Sequence, residues 1–177
     1  MKSKKTWTIV NGCAVLLLLV AAQLVVKAQS PKGAQEDEAA IRALSDKFAA
    51  AFNAADIDAI MKNYIPGKSL VVFDVVPRKQ YSGADAYRAD WVDFFSHFKG
   101  RPKIVITELG ITADGSLGFS HSIQHITGTD KQGHPVNRTV RVTDGYRKVN
   151  GNWLIALEHI SVPVDLRTGK ADFTSKL

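Results

Sequence analysis

The stretch YRKVNGNWLIALEHISVPVD, residues 146–165, decides the fold. Asn150-Gly151 sits between two runs of alternating apolar and polar residues, the strongest short-range signal of a tight β-hairpin. The upstream arm is read as Val136–Val149 and the downstream arm as Trp153–Val162. Successive side chains of a strand point to opposite faces. Trp153, Ile155, Leu157, His159 and Ser161 therefore share one face, and Leu154, Ala156, Glu158 and Ile160 the other. On that parity Glu158 and His159 cannot act as a direct pair. His159 is placed inward, where Arg141 and Thr143 of the upstream arm line the same wall.

Working back from the hairpin, Lys103–Thr112 and Leu117–Thr127 alternate in the same way, joined by the turn Ala113-Asp114-Gly115. Before them the period changes. Ile41, Leu44, Phe48 and Phe52 recur at helical spacing, with Glu36, Asp37 and Glu38 ahead of them to meet the positive end of a helix over 36–53. Asp56 can cap a second short helix that carries Ile57, Ile60, Met61 and Tyr64 and ends at Pro66-Gly67. Leu70–Val76 is a β-rich run closed by Pro77. Ser82-Gly-Ala-Asp85 reads as a capping-box variant opening a helix with Tyr87, Trp91, Phe94, Phe95 and Phe98. Helices first and an antiparallel meander afterwards is an α+β layout, with helices across one face of a curved sheet.

The N-terminus has a basic start, an apolar run and a small residue at its end, the pattern of a secretory signal peptide with cleavage after Ala28. The alternative is an uncleaved membrane anchor, which Gln23 and Lys27 weaken. The expected organisation is a signal over 1–28, a flexible lead-in over 29–35, one domain over 36–165 and a tail over 166–177. The expected location is secreted or periplasmic. Lys2, Lys4, Lys5 and Lys27 leave with the signal, so the net charge falls from +6 to +2. The basic balance is thus an export feature, and no nucleic-acid partner is expected. The single cysteine, Cys13, also leaves, so no disulfide or thiolate metal site is expected.

A curled sheet under helices leaves a cone whose mouth is a natural pocket. Asp74 is the sharpest candidate there. It alternates with Val72 and Val76, so an inward Val72 face makes it a carboxylate in an apolar wall, with a pKa raised by desolvation toward that of a usable base. The alternative is that Asp74 ends its strand and bonds the backbone or Arg78. His121, Ile123 and His125 share one strand face, but the two histidines stand roughly 13 Å apart at Cα, too far for an easy two-His metal clamp. No metal or cofactor motif is present. Trp91 and Tyr64 read either as core or as pocket wall and mouth.

The segments LVVFDVVPRKQYSGADAYRADW (70–91) and 146–165 together resemble the SnoaL-like proteins of the NTF2-like superfamily, which includes ketosteroid isomerase. The resemblance spans about residues 35–165. It implies an α+β cone with a deep apolar pocket, a homodimer through the sheet, and a proton-moving aspartate at the position of Asp74. No second acid is evident on the later strands. Many relatives read His-Glu-His on the last strand, and here Leu157 takes the first place. The expected function is a pocket enzyme acting on a small, largely apolar substrate by isomerisation, elimination or epoxide-type hydrolysis. Asp74 would shuttle the proton, and His121, His125, His159 or Arg141 would stabilise developing negative charge. The rival expectation is a non-catalytic ligand-binding or dimerising module of the same fold.

Overall fold

A computed structural model of the chain describes residues 32–174. The signal expected over 1–28 and the start of the lead-in lie outside the described residues. Six strands form the main sheet: β1 (Val71–Phe73), β2 (Tyr81–Ser82), β3 (Lys103–Asp114), β4 (Leu117–Thr129), β5 (Pro135–Val149) and β6 (Asn152–Ser161). Their order is β2-β1-β6-β5-β4-β3, with β1 parallel to β6 and every other pair antiparallel. Asn150 and Gly151 both take positive φ, 51° and 80°, the geometry that the β5–β6 hairpin turn requires.

Three helices cover the inner face: α1 (Lys32–Ala54), α2 (Ile57–Met61) and α3 (Ala84–Ser96). Ile41, Leu44, Phe48, Ala51 and Phe52 make the buried stripe of α1. The helix starts four residues earlier than the acids suggest, so Glu36–Glu38 lie beyond its first turn. Asp37 instead accepts hydrogen bonds from Lys148 Nζ (2.5 Å) and Trp153 Nε1 (3.1 Å), tying the start of the helix to the hairpin. Asp56 caps α2 as expected, accepting from the Ala59 amide at 2.9 Å. The capping box expected for α3 does not form. Ser82 is paired with Val71 in β2, and Gly83 takes the cap position at φ 93° with no side-chain hydrogen bond. That backbone conformation suits a residue without Cβ.

Phe48, Phe52, Trp91, Phe94 and Phe95 pack edge-on or tilted with centroids 5.3–6.4 Å apart, except for the stacked pair Trp91–Phe95. Such pairs contribute about 0.5–1.5 kcal/mol each beyond area burial. This cluster joins α1 to α3.

The expected tail carries secondary structure within its described residues. β7 (Val164–Asp165) and β8 (Lys170–Ala171) form a separate hairpin. Beyond it, the Phe173 carbonyl accepts from the Thr139 amide at 2.8 Å, and Arg138 lies over the Phe173 ring. No helix among the described residues is long and apolar enough to cross a membrane.

Candidate active site

A β-bulge in β6 sets the chemistry of the cone. Tyr146 pairs with Ile155 and Gly145 with Leu157, so Ala156 is the extra residue. An extra residue reverses the facing of everything after it. Trp153 and Ile155 point inward before the bulge, and Glu158 points inward after it, only 4% exposed. His159 is therefore turned outward, opposite the expected placement.

The outward turn takes its neighbours with it. His159 pairs with Thr143, and Thr143 with His121 on the far side. His159, Thr143, His121 and Arg141 are all exposed on the outer face of the sheet. His159 meets the Phe73 ring edge-on at 5.7 Å. The His121 ring lies directly over Gly110, where a Cβ would sit 2.3 Å from Cε1. His125 shares that face and bonds Thr139 Oγ1 at 2.9 Å. None of these five residues reaches the interior cavity, because each lies one strand position out of phase with the residues that do.

Asp74 and Trp91 do line it. The cavity has a volume of about 220 Å³, with walls that include Phe48, Phe52, Phe94, Ile104 and Ile126. β1 ends at Phe73, and Asp74 follows with its carboxyl at the cavity and one oxygen accepting from the Val75 amide at 2.5 Å. Both sequence readings of Asp74 thus hold at once: it ends a strand, and it faces the hollow. Burial is the main reason its carboxyl is held above the ordinary range, and the nearby charge of Asp90 adds to this. Asp90, on α3, also lines the cavity and accepts a hydrogen bond from the Tyr81 hydroxyl.

The floor is Glu158. Tyr64 donates to its Oε2 at 2.7 Å and Tyr87 to its Oε1 at 2.5 Å. Tyr64 is held there by backbone pairing on either side, Ile155 N to Asn63 O and Ile65 N to Ile155 O. A second, smaller hollow of about 10 Å³ shares Phe48, Gln124 and Glu158 with the first and reaches Asp144. Asp144 Oδ2 accepts from Tyr146 (3.1 Å) and Ser120 (3.4 Å), while its Oδ1 is buried without a partner among the described residues. Burial pushes the Asp144 carboxyl up to about 7, and burial followed by repulsion from Asp144 pushes Glu158 up to about 8. Burial likewise raises the Tyr64 and Tyr87 hydroxyls well above their usual value, so both remain donors at any physiological pH.

The expectation that the later strands lack a second acid is therefore corrected: Asp144 and Glu158 are both there. Asp144 was open to detection, since Val140, Val142, Asp144 and Tyr146 alternate onto one buried face. Tyr87 was visible only as an aromatic on a helix stripe.

An open curved sheet under helices, with an acid floor below an aromatic cavity, defines an NTF2-like cone. The SnoaL-like domain family model matches residues 41–165, and the chain belongs to that family. An NTF2-like protein of unknown function from Pseudomonas putida KT2440 is similar in structure at TM-score 0.72 and 29% identity, covering 81% of this chain and 98% of that one. A ketosteroid isomerase-like protein from Erwinia carotovora atroseptica SCRI1043 is similar at TM-score 0.61 and 24% identity, covering 71% and 95%. An NTF2-like superfamily protein from Salmonella enterica serovar Typhimurium LT2 shares the fold at TM-score 0.65 and 15% identity, covering 75% and 94%. No curated protein matches the chain.

Proposed function

We propose that the protein is an enzyme that moves a proton on a small, largely apolar molecule, with Asp74 as the base and Glu158 as the group that receives developing charge. One observation carries this reading: Asp74 and Glu158 face the same apolar cavity, and Glu158 is clamped by two buried tyrosines. In the step, a substrate C–H bond next to a carbonyl breaks and its proton passes to an Asp74 oxygen. The electron pair moves to the carbonyl oxygen. Glu158, neutral at pH 7 because it is pushed up to about 8, has a proton to share with that oxygen. Tyr64 and Tyr87 hold it in place, so little reorganisation is needed. The fold shared with a ketosteroid isomerase-like protein supports the reading.

The test is isomerisation of a β,γ-unsaturated cyclic ketone, followed by ultraviolet absorbance of the conjugated product. Asp74→Asn should lower the rate by about a hundredfold or more, the usual weight of a positioned base. Ketone binding with no conversion by the unmodified protein would reduce the chain to a binding module.

The same reading extends to partner and location. The outer face leaves Leu117, Phe119 and Leu157 exposed beside His121 and His159, and a second copy of the chain is the partner proposed to cover it. Export with removal of residues 1–28 is proposed from the N-terminal pattern. Mass spectrometry of the protein recovered from cell fractions tests it, since a mature chain beginning at Gln29 is required.

A further inference from the structure

The acids Asp74, Asp90, Asp93 and Glu158 line the main cavity together with one histidine, His97, and no lysine or arginine lines it. Arg78, whose charge acts on Asp90, lies over the Tyr81 ring and outside the lining. The remainder of the wall is aromatic and aliphatic, with Trp91 and Phe94 on the same helix as Asp90. Two buried polar atoms in the paired hollows have no hydrogen-bond partner among the described residues, Trp91 Nε1 and Asp144 Oδ1.

Size and charge together narrow the ligand. A dry cavity of about 150 Å³ accepts a benzene ring. A hollow of about 220 Å³ therefore holds one ring with a short side arm. Carboxylate, phosphate and sulfate ligands meet the like charge of Asp74, Asp90 and Asp93 and find no lysine or arginine to pair with. A cation meets desolvated carboxylates and aromatic faces, both of which attract it.

We infer that the cavity is selective for an aryl-alkyl amine, its ring against Trp91 and Phe94 and its ammonium group on the carboxylates of Asp74 and Asp90. The inference takes from the proposed function only that this cavity is the ligand site; it does not need Asp74 to act as a base. Burial holds both carboxyls above their ordinary range, with repulsion from Asp90 adding to it at Asp74 and repulsion from Asp93 at Asp90, and a bound ammonium offsets these charges.

Isothermal titration with three near-isosteric probes tests it: 2-phenylethylammonium, 2-phenylethanol and 3-phenylpropionate. The ammonium compound should bind about tenfold or more tightly than the alcohol, the factor that one charge-assisted hydrogen bond supplies, and the carboxylate should bind weakest. In Asp90→Asn and Asp74→Asn, checked by melting for an intact fold, the preference for amine over alcohol should shrink while alcohol affinity holds. Equal affinity for amine and alcohol, a carboxylate that binds best, or a preference untouched in both variants overturns the inference. Alcohol binding together with ketone turnover would leave the proposed function standing in that case. Failure of all three probes to bind would count against the inference, while loss of ketone turnover alone would count only against the proposed function.

Discussion

Glu158 and Asp144 are register partners on adjacent strands, both turned into the cone and both more than nine-tenths buried. Two acids so placed resist ionising together. The pair is the main electrostatic burden of the fold, and Tyr64, Tyr87, Tyr146 and Ser120 are the donors that make it tolerable.

That burden sets the direction of pH dependence. The folded pKa values of about 7 and about 8 lie above the ordinary 3.8 and 4.5, so between these limits the folded chain binds more protons than the unfolded one. Stability from these groups is complete below the ordinary range, declines as pH rises through 7 and 8, and levels off above. Differential scanning calorimetry between pH 5 and pH 9 should show a falling Tm. Each kcal/mol corresponds to roughly 2–4 °C in a domain of this size. Glu158→Gln should flatten the curve above pH 6, and an unflattened curve would reassign the effect.

Tyr87→Phe removes one of the two donors to Glu158 and leaves Oε1 without a partner. Urea denaturation at pH 8 should show a loss of about 1–3 kcal/mol. The loss should shrink at pH 5, where the acid is neutral. A pH-independent loss would mean that the ring's packing, and not its hydroxyl, is what matters.

Asp74→Asn should leave the melting temperature unchanged or raise it, because a carboxylate held up by burial is exchanged for a neutral amide. Turnover of the ketone should nonetheless collapse. A variant that melts many degrees lower would place Asp74 in the scaffold.

Sedimentation velocity at micromolar concentration checks the proposed second copy. Phe119→Asp and Leu157→Asp, both on the exposed outer face, should each convert a dimer to a monomer with little change in secondary structure. A wild-type monomer would remove the dimer altogether.

The element order was legible because it rests on period and punctuation. The Asn150-Gly151 turn, the Asp56 cap and the β3–β5 strands all stand where local chemistry puts them. The site was legible only where parity ran unbroken. Val72 and Asp74 keep the phase of β1, so Asp74 arrives at the cavity as alternation predicts. On β6 the extra residue Ala156 shifts the phase, and nothing in its own side chain announces this. The error in His159 carried Thr143 and Arg141 with it, since these were assigned to its wall. The Ser82 capping box failed for another reason: a backbone pairing to Val71 claimed the residue first.

The bond from Thr139 to Phe173 has a consequence for how the protein is handled. β6 ends at Ser161, its last partner being Arg141, so the stretch of β5 before that point would offer bare amides and carbonyls. The C-terminal segment fills that place, acting as a built-in guard against strand addition by another molecule. Trimming the chain ahead of Phe173 would open a sticky seam, and purification handles are safer placed where they leave that seam closed.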